Sequence, residues 1–333
     1  MGVRNAPEEL PESDLAAVLA REWGIDVAEL IYRPVGFGSH HWEVLDAGGT
    51  RWFATVDDLA TRRLRREEPL AAPYQRLRGC LATAREVRDY GRGFVVAPVP
   101  TRDGEPLAPV SARYAAALHP HVEGRSFDWG EFTVPTHREA TLAMIVAVHT
   151  APDAARRHAR VEDFAIPHRD ELTAALAGLA GAPDCGPYAG PAAELLAAHG
   201  APMRRLLRRY DDMVARWRAA PGPTVLTHGE PHPGNTMLGA TGEWLLIDWD
   251  TVLVAPPERD LWHLDEGDGA VLAAYARATG VTPNPSTVEL YRLGWDLKDV
   301  AMDVGRFRRP HPGDANDDAS WRILTSVVTH LSE

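Results

Sequence analysis

At Glu123-Gly124 the apolar pattern of the chain changes period, and no other feature limits the possible folds as much. Upstream, short apolar runs alternate with glycine turns. Residues 29–35 lead into Gly36-Phe37-Gly38-Ser39, residues 41–45 follow, then Asp46-Ala47-Gly48-Gly49, then residues 51–56. Such runs between glycine turns mark strands joined as an antiparallel meander. Further strands are expected at 94–99 and 114–122, with a turn at 102–106 between them. Two upstream stretches read as helices. Residues 13–23 carry Leu15, Val18 and Leu19 between a capping Ser13 and a terminating Gly24, and residues 69–90 form a longer one.

Downstream the spacing becomes helical. Thr136-His137-Arg138-Glu139 has the form of a capping box, and Leu142, Ile145, Val146 and His149 follow on one face. Helices are expected at 168–180, 191–219, 258–278, 286–307 and 316–331, and short strands at 224–226, 236–238 and 244–247. The fold class is therefore α+β and bilobal. A small antiparallel-sheet N-lobe spans residues 1–118, a hinge 119–124, and a larger, mainly helical C-lobe 125–333. A chain of 333 residues also exceeds what one small core supports. The cleft between the lobes is the expected place for chemistry.

One stretch of the C-lobe is rich in hard oxygen donors. It reads Thr-His228-Gly-Glu230-Pro-His232-Pro-Gly-Asn235, then Leu-Leu-Ile-Asp248-Trp-Asp250, then Pro-Pro-Glu-Arg-Asp260. Carboxylate, carboxamide and carboxylate at Glu230, Asn235 and Asp248 suit a hard cation with a phosphate ester. Mg²⁺ takes a few hard oxygens and leaves other positions to phosphate and water. A carboxylate beside it can orient an attacking hydroxyl. A plain Pro/Gly-rich surface loop is the competing reading. A zinc site fits poorly, because His228, Glu230 and His232 lie at i, i+2 and i+4, and Pro231 and Pro233 forbid a regular helix. Asp250 either holds a second Mg²⁺ or ends the strand.

The net charge of −12 argues against nucleic acid as a partner and suits a cationic small molecule. No apolar run is long enough for a transmembrane helix, and the N-terminus lacks the apolar region of a secretory signal. Cys80 and Cys185 fit no metal spacing and read as reduced thiols of a cytoplasmic protein. Among 35 basic residues there is a single lysine, Lys298, so cationic function falls to arginine.

With these motifs the chain resembles the aminoglycoside phosphotransferases, which share the protein-kinase-like fold with choline kinases, and within them the spectinomycin-type branch. The resemblance implies transfer of a phosphoryl group from ATP or GTP, with Mg²⁺, to a hydroxyl of a small cationic molecule, most plausibly an aminoglycoside- or aminocyclitol-like antibiotic. It assigns Glu230 to orient the hydroxyl and accept its proton, and Asn235 and Asp248 to hold Mg²⁺. Gly36, Gly38 and Ser39 would cover the nucleotide phosphates, and the backbone of residues 118–122, with His119 and His121, would meet the adenine edge. Asp260 would brace the catalytic loop, with His228 as a loop anchor and His232 facing the cleft. Asp296, Asp299 and Asp303 share a helix face at i, i+3 and i+7 and would line the acceptor pocket, unless that face is simply solvated. Trp295 would stack on the acceptor or pack inside.

Two positions depart from the family pattern. Glu230 stands where the family has aspartate, which adds about 1.5 Å of reach. Thr55 stands where the third strand should carry a lysine, leaving Arg51 as the nearest cation, or Mg²⁺ and backbone amides alone. A nucleoside- or peptide-antibiotic kinase, a metabolite kinase and a catalytically impaired nucleotide binder are the alternatives. Oligomeric state is not legible.

Overall fold

The computed structural model describes residues 4–178 and 185–333. Helix α1 (Glu12–Val18) runs into a π-turn, Leu19–Trp23, that Gly24 ends at φ 74°. Strands β1 (Val27–Arg33), β2 (Ser39–Asp46) and β3 (Arg51–Asp58) follow as the expected meander. Helix α2 (Ala71–Asp89) precedes β4 (Ala108–Pro109) and β5 (Tyr114–Pro120). These strands form one antiparallel sheet in the order β1-β2-β3-β5-β4.

Strand alternation sorts the two faces of this sheet. Trp42, Val44, Ala54, Val56, Ala116 and Leu118 pack on Leu15 and Leu19. Ala115 and Ala117 turn the other way, onto Leu77 and Leu81 of α2. By register, Ser39 opposite Asp57, His41 opposite Thr55, and Phe53 opposite His119 belong to this second face.

The chain next pairs as β6 (Gly124–Ser126) on β9 (Thr236–Gly239), beside β10 (Trp244–Leu246). Gly124 is required there, because a Cβ would fall 2.4 Å from the Leu238 carbonyl. A second small sheet joins β7 (Arg160–Val161), β11 (Leu253–Ala255) and β8 (Val225–Thr227) in the order β7-β11-β8. The helices are α3 (Pro135–His149), α4 (Arg169–Leu176), α5 (Ala189–Ala219), α6 (Glu258–Leu261), α7 (Ala270–Thr279), α8 (Pro285–Phe307) and α9 (Ala315–His330). Leu172, Met203, Leu297, Val300, Phe307 and Leu324 are central to the core where α4, α5, α8 and α9 meet.

Several expectations need correction. Residues 94–99 form no strand but two isolated bridges, Val95 to Leu246 and Val99 to Leu118. Pro98, which has no N–H to donate, interrupts any ladder there. The helix expected over 258–278 divides into α6 and α7, because Gly267 and Gly269 adopt φ 87° and 73° between them. Pro11 and Val134, not Ser13 and Thr136, stand at the starts of α1 and α3 without side-chain caps. A capping box forms instead at Asp314 and Asp317 of α9. The helix expected over 168–180 is α4. Residues 1–3 and 179–180, the start of the expected N-lobe and the end of that helix, lie outside the described residues. Cys80 and Cys185 are both buried. No helix among the described residues is long and apolar enough to cross a membrane.

Candidate active site

The site is built upward from Asp260. This carboxylate, fully buried at α6, accepts the backbone N–H groups of His228 (2.8 Å) and Gly229 (2.6 Å) and the Nε2–H of His149 (3.0 Å). Burial alone would raise its pKa, but the hydrogen bond and charge of His149, with the charges of Arg259 and His228, hold it below the usual carboxylate range. Arg259 completes the base by donating to Thr227 Oγ1 (2.9 Å) and the Thr251 carbonyl (2.7 Å). Gly229 has φ 108°, and a Cβ there would lie 2.5 Å from the Arg259 guanidinium, so the position takes only glycine.

His228 ties the loop to the strand that follows. Its Nε2–H donates to the Ile247 carbonyl (2.9 Å), and its Nδ1 accepts the N–H of Glu230 (3.3 Å). Burial lowers its pKa, in keeping with that neutral tautomer. Asn235 donates Nδ2 to the Glu230 carbonyl (2.9 Å), which leaves Oδ1 as the free acceptor end of the amide. The Asn235 carbonyl in turn accepts from Ile247 N–H (2.9 Å), so Asn235 lies beside the residue that precedes Asp248. Asp248 itself takes φ 61°, a left-handed conformation uncommon outside glycine and typical of constrained functional positions.

Above this base the carboxylates crowd. Burial, and then the charge of Asp250, push the Glu230 carboxyl up to about 7. Asp248 is raised well above the ordinary range by burial, Asp250 and Glu230. Asp250 is held low against burial by Arg62, whose Nη2 lies 2.5 Å from its Oδ2. Such a surplus of negative charge in one corner is what a divalent cation relieves, and an amide oxygen with adjacent carboxylates is a donor set that Mg²⁺ accepts. Among the described residues no three His, Cys, Asp or Glu side chains form a metal cage, so the remaining ligands would come from phosphate and water.

The sheet supplies the opposite wall. Ser39 Oγ donates to Asp57 Oδ1 (2.8 Å), and Gly36 and Gly38 turn at φ 73° and 91° with Phe37 exposed between them. Thr55 and His119 lie on the same face, with Phe53 stacked on His41. Burial, with the charge of His41, lowers the His119 ring pKa to about 4, so this ring is uncharged at neutral pH. His121 stands 3.9 Å from Glu43. Arg51 is at the opposite end of β3 from Asp57, paired with Glu43 (3.2 Å) and Glu123 (3.8 Å). The cation that reaches the carboxylates is Arg62, which the sequence reading did not single out. Its bond to Asp250 joins positions 188 apart, and neither residue lies in a shared motif.

On the acceptor side the helix face divides. Burial, then the charges of Asp303, Asp296 and Glu230, raise Asp299 to about 7, and burial raises Asp296. Asp303 does not join them at the cleft. It is buried, bonded to Ser320 of α9, with its carboxyl raised to about 6. Trp295 packs against Trp262 and edge-on to His263 (5.2 Å). His263 donates toward the Gly229 carbonyl (3.1 Å) and neighbours His232, whose ring meets the exposed Trp129 edge-on. His232 Nδ1 is buried without a partner, and its Nε2 lies 3.9 Å from Glu230.

Comparison with known proteins identifies the family and the fold. Residues 34–291 match the family described as the phosphotransferase enzyme family. Protein StrN of Streptomyces griseus is 35% identical over 252 residues, covering 72% of each chain. Spectinomycin phosphotransferase APH(9)-Ia, solved with ADP and spectinomycin, superposes with a TM-score of 0.70 over 96% of this chain and 97% of its own, at 14% identity. An amicoumacin kinase bound to AMP-PNP, Ca²⁺ and its ligand gives 0.61 over 97% and 93%, at 13% identity. At such identities the two structures speak for the fold, which is the bilobal α+β kinase-like one expected from the sequence.

Proposed function

The chain belongs to the phosphotransferase enzyme family, and from that premise we propose that it moves the γ-phosphoryl group of ATP onto a hydroxyl of a small cationic molecule. That it is a small-molecule phosphotransferase follows from the family. The donor, the metal and the acceptor are the finer reading. The observation that carries it is Glu230, a partly buried carboxylate beside Asp248 and Asn235 on a loop fixed from beneath by Asp260.

In this reading the lobes divide at 119–124 and the nucleotide lies under the Gly36–Ser39 turn. Glu230 holds the acceptor hydroxyl in line and takes its proton. The hydroxyl oxygen bonds to the γ-phosphorus as the bond to the β,γ-bridging oxygen breaks, and ADP leaves with that electron pair. Asn235 Oδ1 and Asp248 would hold Mg²⁺, which when bound spreads the charge developing on the phosphate oxygens. Asp299 and Asp296 are raised carboxyls in want of a positive partner, which supports an acceptor bearing ammonium groups, such as an aminoglycoside or aminocyclitol antibiotic.

The test is incubation with Mg-ATP and a panel of aminoglycosides, aminocyclitols and other amine-bearing antibiotics, read by mass spectrometry for the gain of one phosphoryl group. A phosphorylated amine-bearing product supports the reading. Tight nucleotide binding with no product across the panel would replace it with that of a non-transferring binder.

A further inference from the structure

A cation that serves the nucleotide phosphates must lie between the glycine turn and Asp248, and Arg62 is placed there. It belongs to the segment between β3 and α2. Its Nε donates to Asp57 Oδ1 (2.6 Å), a carboxylate 2% exposed at the end of β3. Its Nη2 donates to Ser39 Oγ (3.0 Å), lies 2.5 Å from Asp250 Oδ2, and is 3.9 Å from where a Cβ would stand on Gly38. One nitrogen thus touches both the glycine turn and the acidic pair that frame the passage a polyphosphate must follow.

The backbone around Arg62 is held as well. Arg76 donates to its carbonyl (2.8 Å) and pairs with Glu68. The Leu64 carbonyl accepts from His168 N–H at the start of α4 (2.8 Å). Nε and Nη2 of the guanidinium both meet Asp57 Oδ1 (2.6 and 2.5 Å), and the same Nη2 also meets Ser39 and Asp250, groups that phosphate oxygens can replace.

Resting on the kinase reading above, we infer that Arg62 is the cation that grips the phosphate oxygens of the bound nucleotide, with Asp250 as its partner when no nucleotide is bound. The single lysine, Lys298, lies on α8, where its charge bears on Glu162 and Glu230 rather than on the glycine turn. A planar fork suits the task, because Nε can stay on Asp57 while the Nη nitrogens turn to phosphate, which a point-charge ammonium cannot do with the same geometry. Exchanging a carboxylate for a phosphate oxygen also leaves the guanidinium paired throughout, so no buried charge is stranded.

The experiment compares adenosine with ADP. Calorimetric Kd values are measured with magnesium for the full unaltered chain, R62M and R62K. R62M should weaken ADP roughly 10- to 100-fold while leaving adenosine within about twofold. R62K should regain part of the ADP affinity. Equal loss for both ligands would make Arg62 a brace between lobes and overturn the inference, as would ADP binding that R62M leaves unchanged. R62Q, which keeps hydrogen bonds and drops the charge, is read the same way should R62M fail to fold. An unaltered chain that binds neither ligand would instead sink the kinase reading, and this inference with it.

Discussion

Beneath the loop of residues 228–235 and above it, carboxylates meet opposite fates. Below, Asp260 has two backbone donors and His149 within 3.0 Å and is held low. Above, Glu230 and Asp248 face each other and Asp250 with Arg62 as counter-charge, and both are raised. The lower region is complete as the chain folds. The upper one is electrostatically unfinished, and a cleft left short of positive charge favours a cationic or metal-bound ligand. On the roles proposed above, the contrast separates a carboxylate that supports from carboxylates that act.

That contrast can be broken most forcefully at Asp248. Asp248→Asn should cut transfer by roughly 1,000-fold or more, since it removes a metal-holding charge. Its unfolding midpoint should be unchanged or higher, because a repelled charge is gone. Turnover near that of the unaltered chain would place the metal elsewhere. Asp260→Ala should behave in the opposite way, costing about 3–5 kcal/mol of stability because three donors lose their acceptor. Urea unfolding checks this, and a cost near zero would mean the loop is held by other contacts. Glu230→Gln should lower kcat roughly 100-fold while shifting the ADP Kd less than about threefold. A parallel loss of kcat and nucleotide affinity would make Glu230 a binding group instead.

Two smaller effects sharpen the same comparison through pH. Glu230 and Asp299 stand at about 7 and Asp303 at about 6, all above their unfolded values near 4. The folded chain then binds more protons than the unfolded one between those values. Their contribution to stability is complete below the unfolded values and is lost as pH rises through 6 to 7. Nucleotide-free chain should therefore unfold at lower urea at pH 8 than at pH 5, and saturating Mg-ADP should flatten the slope. Asp299→Asn should add on the order of 1 kcal/mol at pH 8 and little at pH 5. Identical slopes in that variant would show that Asp299 ionises freely.

The carboxylates of both regions were legible in the sequence because they are contiguous or nearly so. Glu230, Asn235, Asp248 and Asp260 lie within one stretch, and the structure brings them into one corner. The upper region was legible in part. Arg51 adjoined the expected lysine strand in sequence, but β3 places it at the rim with Glu43 and Glu123. Arg62 meets Asp250 through folding of the whole chain, a relation no local pattern encodes. Helical spacing put Asp303 on one face with Asp296 and Asp299. It could not show that α9 would cover the last turn and take Asp303 through Ser320. Residues 94–99 have the composition of a strand, yet Pro98 and two different neighbours leave only single bridges.

Those bridges have a mechanical meaning. Phe94 and Val96 are bonded to Leu246 of β10, while Val99 is bonded to Leu118 of β5, so this short segment fastens one half of the molecule to the other. The passage from β5 to β6 is a second fastening. Helix α2 joins them, since Cys80, Ala84 and Val87 share one apolar cluster with Val148, Leu226 and Trp249. The halves therefore meet over a seam rather than at two points, and any opening between them must expose part of that seam to water.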